Sequence, residues 1–234
     1  RHAIHVNVQN VLPEMSNPNN TDGGYQGIAV NMTSVAEKLK TVGYTTRIVG
    51  KWDAGMATNK HSPANRGFDS WLGYWHHSND YWTQDIENCG IGKPVKDLWR
   101  INATYDGPEY GLQNGPNCRD DNQHPEGETC IYEDDLFAKE VTDIVYNHDA
   151  STSPLFLFYS MHLVHMPLQV QEEKLAEFSN INNKYRQLMH AMVNTMDNYV
   201  GELVNALKDT GLWDDAIVVL HADNGGKICT VCVT

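Results

Sequence analysis

Apolar positions along the chain follow a helical period three times, and each time an apolar run suited to a strand comes next. In the first block Ser34 or Thr33 caps a short helix, with Glu37 three residues after Ser34 and Val35, Ala36 and Leu39 as its apolar stripe. Gly43 closes that helix, and Tyr44 to Val49 reads as a strand. In the second, Leu136, Phe137, Val141, Ile144 and Val145 give helical spacing from Asp134 to Asn147, and Pro154 precedes the strand Leu155-Phe156-Leu157-Phe158-Tyr159-Ser160. In the third, Leu188, Met192, Met196, Val200, Leu203 and Leu207 mark one face of a long helix from about Asn183 to Asp209. Gly211 ends it, and Ala216-Ile217-Val218-Val219-Leu220 reads as a buried core strand. Helix and strand alternating in this way predict an α/β domain with a largely parallel sheet between helical layers. Residues 10–30 read as loop, and residues 60–132 carry little periodicity, which predicts long irregular excursions over the active face.

Composition narrows the picture. The 234 residues suffice for one large domain, 41% are hydrophobic, and no apolar run is long enough to span a membrane. The net charge of −13 argues against a nucleic-acid partner, which requires a basic footprint. The chain opens Arg1-His2-Ala3-Ile4-His5 with neither an initiator Met nor an apolar leader, as expected of a processed or partial product. Of the five cysteines, Cys89, Cys118 and Cys130 lie in the irregular region, where disulfides would staple loops. Cys229 and Cys232 form a C-x-x-C without a second pair, which reads as incidental. Sequons at Asn19, Asn31 and Asn102 add a lean toward the secretory pathway, lysosomal or extracellular.

The candidate chemistry sits at the strand ends. In a parallel sheet the carboxyl ends of the strands share one edge, where ligands bind. The predicted exits carry Lys51 and Asp53, then His162 and His165, then Asp223 and Asn224 before Gly225 and Gly226. Asp and Asn side by side offer hard oxygen donors of the kind Ca²⁺ or Mg²⁺ prefers, although Asn-Gly alone is an ordinary turn signal. A lysine and a histidine alone are ordinarily a solvated side chain and a loop residue. Together with an oxygen-rich half-site they form a set able to hold a tetrahedral anion.

Four ordered blocks resemble the sulfatase family of the alkaline-phosphatase-like superfamily, arylsulfatase B-type members in particular. Residues 36–46 followed by Val49-Gly50-Lys51-Trp52 are similar to its LKxxGYxTxxxGKWH block. Arg66-Gly67-Phe68-Asp69 with Gly73-Tyr74 resembles RGFDxxxGY, and His165-Met166-Pro167-Leu168-Gln169 resembles H-x-P-L-Q. Gly211-Leu212-Trp213-Asp214-Asp215 leading into Asp223-Asn224-Gly225-Gly226 resembles GLxDNTxxxxxSDNGG. The resemblance implies a three-layer α/β/α fold with a mixed, largely parallel sheet, incomplete here because residues 1–234 match only part of the catalytic domain. It implies hydrolysis of an aryl or sugar sulfate by a formylglycine nucleophile, with Ca²⁺ held by three Asp and one Asn. Carried over by motif, Lys51 and His165 are the catalytic, sulfate-contacting pair, and Asp223 and Asn224 are metal ligands.

Four departures bear on activity. No cysteine is followed by x-Pro-x-Arg, so the nucleophile motif is absent, as is the family's N-terminal Asp-Asp metal pair. Lys227 to Thr234 does not resemble the family's continuation. The family's Lys-Trp-His reads Lys51-Trp52-Asp53, and a carboxylate beside sulfate repels it unless protonated or metal-bound, which makes Asp53, His76 and His77 candidate substrate-binding residues. The chain alone is therefore expected to be inactive. A non-catalytic sulfatase-like subunit of a larger assembly is the alternative. A phosphatase or phosphodiesterase of the same superfamily would need a Ser or Thr nucleophile and zinc-type ligands, and neither pattern is present.

Overall fold

The computed structural model describes residues 27–86, 94–109, 130–223 and 225. Its centre is a five-stranded sheet of order β6-β5-β2-β1-β7, made of β1 (Thr45–Gly50), β2 (Ser70–Gly73), β5 (Trp99–Ile101), β6 (Asp106–Pro108) and β7 (Leu155–Ser160). A separate hairpin pairs β3 (Asp85–Ile86) with β4 (Val95–Lys96). Strand β1 runs parallel to β2 and to β7, placing Ile48 opposite Trp71 on one side and Phe158 on the other. Strands β5 and β6 add antiparallel to β2. The sheet is thus mixed, with its parallel part at β2-β1-β7.

Local chemistry sets the helices. Helix α1 (Val35–Lys40) begins with a complete capping box: Ser34 Oγ accepts from Glu37 N at 3.0 Å, and Ser34 N donates to Glu37 Oε2 at 2.6 Å. It ends before Gly43, whose φ of 87° suits the left-handed exit. Helix α2 (Glu133–Asn147) packs Phe137 and Val141 against Val49, Leu72, Tyr74 and Leu98 under one face of the sheet. On the opposite face Ala36 of α1 joins Ile48, Phe68, Trp71 and Ile101. Helices α3 (Glu172–Ala176) and α4 (Lys184–Asp209) complete the α2 side, where Asn183 caps α4 and Met192 and Ala191 pack with Tyr81, Trp82 and Tyr132. Arg100 of β5 grips both carboxylate oxygens of Glu140 on α2 at 3.0–3.1 Å and also pairs with Glu109, which ties the sheet's antiparallel wing to the helix.

Two sequence expectations change. The region taken as irregular contains β2 to β6, three of which widen the main sheet. Residues 216–220 form no ladder with any described strand and are not a buried core strand: Ile217, Val218, Val219 and Leu220 are 92, 59, 77 and 80% exposed. A core strand needs neighbours for its N–H and C=O groups, and among the described residues the sheet stops at β7, where Phe158 is itself exposed.

Close approach at the parallel centre depends on Gly50. Its φ is 97°, and a Cβ there would lie 1.9 Å from the Ser160 carbonyl oxygen on β7. Replacing Gly50 with Ala is expected to cost on the order of 2 kcal/mol or more, read as a lower melting temperature; an unchanged melting temperature contradicts the packing. Replacing Ile217 and Leu220 with Ser is expected to lower binding of a hydrophobic dye without lowering the melting temperature, because nothing packs on them. A fall in stability would show that the run is buried.

Candidate active site at the strand exits

Parallel pairing sends the ends of β1, β2 and β7 to one edge, and the backbone continues that order for a few residues. Lys51 N donates to Ser160 O, Trp52 N to Tyr74 O and Asp53 N to Trp75 O, which carries Lys51, Asp53, His76 and His77 out side by side. Asp53 turns there with a φ of 41°, unusual for a residue other than glycine, and this aims its carboxylate back over the edge.

Lys51 is the centre of this edge. Its side chain is only 12% exposed, and Nζ donates to Asp223 Oδ2 at 3.0 Å and lies 3.5 Å from Asp53 Oδ2. Asp53 Oδ2 also lies 3.2 Å from His77 Nδ1. That hydrogen bond raises the His77 pKa, more than partial burial and the nearby Lys51 charge lower it. His76 faces away from Asp53: its Nδ1 is 2.9 Å from Asp97 Oδ2, and Asp97 also accepts from Trp75 N and His76 N. Beside it an open hollow of about 240 Å³ is walled by Trp75, Trp99 and Met56.

Past β7 the chain places His162 inward and His165 outward, their rings 6.2 Å apart. Tyr81 Oη donates to the carbonyls of both, at 3.1 and 3.0 Å, and the Tyr81 ring stacks on His162 at 3.8 Å. His165 Nδ1 lies 2.8 Å from the Met166 carbonyl, so a proton on Nδ1 leaves Nε2 as the free nitrogen facing solvent. Burial depresses the His162 pKa to about 4 despite nearby Asp134, so His162 is neutral at pH 7.

The sequence-predicted residues therefore divide. Lys51, Asp53, His77 and Asp223 form one connected group, His165 stands beside His162 at the next exit, and His76 turns to Asp97. Asn224 and Asn19 lie outside the described residues, while Asn31 and Asn102 are exposed. As a calcium cage the described residues are insufficient. Calcium takes six to eight oxygens, whereas the chain offers the 74%-exposed Asp223 and nearby Asp53, both held by Lys51. The buried Glu133-Asp134 pair beside His162 went unrecognised in the sequence, because two acids at a helix start are ordinarily dipole-favoured surface residues.

The mixed, mostly parallel sheet with its flanking helices is a partial alkaline-phosphatase-like α/β fold, with polar groups gathered at the parallel strand exits. The sulfatase family model matches residues 7–230, and the chain belongs to the sulfatase family. It is 29% identical over 231 residues to arylsulfatase J of Mus musculus, covering 97% of this chain and 33% of that protein. It is 25% identical over 203 residues to N-acetylgalactosamine-6-sulfatase of Mus musculus, covering 86% and 34% respectively. The chain thus spans about a third of the length of the curated relatives it matches. Among solved structures it resembles Ps i-CgsB, with a TM-score of 0.64 at 25% identity over 80% of this chain and 39% of that one. The same protein in complex with k-i-k-neocarrahexaose gives a TM-score of 0.62 at 26% identity, covering 83% and 40%.

The Asp53–His77 couple makes a pH prediction. A histidine whose folded pKa is raised above the ordinary 6.5 adds stability that is full below 6.5 and lost as pH rises through the raised value. Changing Asp53 to Asn is expected to bring the His77 midpoint down toward 6.5 in a histidine NMR titration. A midpoint that does not move would show that the couple is not formed.

Proposed function

We propose that this chain supplies the sulfate-binding part of a sulfate-ester hydrolase whose substrate is a sulfated sugar or an aryl sulfate. The observation that carries the reading is Lys51, held almost fully inside the strand-exit edge, with the protonation-favoured His77 and the exposed His165 at neighbouring exits. In this reading Lys51 and His77 face sulfate oxygens, and His165 Nε2 is the proton-transfer position beside the departing alcohol, donating there only when both ring nitrogens carry a proton. Asp53 holds His77 in its charged form, so the family's histidine at position 53 is replaced in function by a carboxylate–histidine pair. The sugar ring lies against Trp75 and Trp99 in the hollow beside His76.

Asp223 and Asn224 belong to a calcium site that is completed by ligands from outside this chain. Asp223 and Asn224 would contribute oxygen ligands to that ion, which would supply positive charge for sulfate oxygens. The nucleophile comes from elsewhere too, since the 234 residues hold no Cys-x-Pro-x-Arg. The disulfide at Cys130 and the exposed sequons at Asn31 and Asn102 support a secretory, lysosomal or extracellular location. Among the described residues no helix is long and apolar enough to cross a membrane. The missing nucleophile motif also favours a second reading, a non-catalytic sulfatase-like subunit that binds sulfated carbohydrate within an assembly.

A chromogenic aryl sulfate is expected to show no turnover with this polypeptide alone, and measurable turnover would contradict the assignment. Sulfate binding measured by calorimetry is expected to weaken at least about tenfold when Lys51 becomes Ala, the effect of losing one charge-assisted contact. Equal binding by the variant would remove Lys51 from the site. If transcripts on both sides encode no Cys-x-Pro-x-Arg, the subunit reading replaces the enzyme.

A further inference from the structure

Beneath the His162–His165 loop, Glu133 and Asp134 at the start of α2 meet His162 at the exit of β7. One donor atom from each lies within 4.8 Å of the other two, and all three side chains are buried. The hydrogen bonds among them are unevenly distributed. Both Glu133 oxygens are engaged: Oε1 accepts from Asn79 Nδ2 at 2.8 Å, and Oε2 lies 2.8 Å from His162 Nδ1. Neither oxygen of Asp134 has a hydrogen-bond partner, and His162 Nε2 and Asn79 Oδ1 have none either. The Leu163 and His162 backbone N–H groups draw the Asp134 pKa down without completing a bond, and burial still pushes it up to about 7. Burial likewise holds the Glu133 carboxyl well above its usual range.

Two adjacent carboxyls at 0% exposure, one of them with both oxygens orphaned, are costly when ionised unless a positive charge stands among them. From this geometry we infer that Glu133, Asp134 and His162 hold a divalent transition-metal ion, with zinc the best match. One imidazole nitrogen with carboxylate oxygens is a zinc-type donor set, whereas calcium and magnesium favour oxygen alone. A +2 ion matches two carboxylates and a neutral imidazole. It also gives the unpartnered Asp134 oxygens a partner, and Glu133 Oε2 and His162 Nδ1 would turn from their mutual hydrogen bond to the ion. Such an ion would clamp the start of α2 to the end of β7 and fix the loop that presents His165. This inference is independent of the proposed sulfate and calcium chemistry.

The test uses the whole 234-residue chain, stripped with chelator and titrated with Zn²⁺ alone. One equivalent is expected to bind and to raise the melting temperature. Asp134→Asn and His162→Gln are each expected to weaken that uptake about 100-fold, at the upper end for disturbed metal sites. Because Asp134→Asn removes a buried, unpaired carboxyl, the chelated variant is expected to melt no lower than the chelated parent. Asp223→Asn and a change at exposed His190 are expected to leave uptake intact, separating this site from the strand-exit group and from adventitious surface binding. Co²⁺ in the unmutated chain gives a reading free of folding effects: strong visible absorption of a low-coordinate site is expected. No uptake of Zn²⁺, equal uptake by the Asp134 and His162 variants, or a weak water-like Co²⁺ spectrum would each overturn the inference.

Discussion

Parallel pairing of β1 with both β2 and β7 is the constraint on which the rest depends. It fixes three strand exits on one edge and sets their spacing, so that residues distant in sequence arrive together. Gly50 makes the pairing close, since any side chain there would meet the Ser160 carbonyl, and Gly73 is similarly confined by the Gly50 carbonyl. The Trp71 indole donates to that same carbonyl at 2.9 Å and locks the β1 end where Lys51 begins. Packing below by Phe137 and Val141, and above by Ala36 and Phe68, holds the sheet in place.

Electrostatics at the edge follow from that placement. Lys51 is nearly buried between two carboxylates, which keeps a cation where an anionic ligand would bind, and one of those carboxylates also raises the pKa of His77. At position 53, where the resembled motif has a histidine, aspartate pairs with His77 at the exit of the neighbouring strand β2. Below the edge the same sheet encloses Glu133, Asp134 and His162, where burial pushes both carboxyls up, Asp134 to about 7, and the His162 imidazole down to about 4.

Much of this was legible in the sequence, for identifiable reasons. The capping box at Ser34 and Glu37, the long helix beginning near Asn183 and the strands β1 and β7 are strong local signals, and they appear where expected. The short strands β2, β5 and β6 were not legible, because three or four residues bearing Gly, Trp, Asp and Pro carry no usable period. Residues 216–220 show the opposite failure: the pattern is that of a core strand, but a strand is buried only if neighbours are present. Of the site, Lys51, His165 and Asp223 were readable from motif and strand end. The Asp53–His77 couple and the Glu133–Asp134–His162 cluster depend on contacts across 24 and 29 residues of chain and leave no local trace.

The most direct test of the shared edge is an amide and histidine NMR titration of the chain with inorganic sulfate. Shifts confined to Lys51 and Asp53, His77, His165 and Asp223, saturating together with one affinity, are predicted. Shifts that scatter over other surface lysines, or that fit separate affinities at the three strand exits, would contradict a single site.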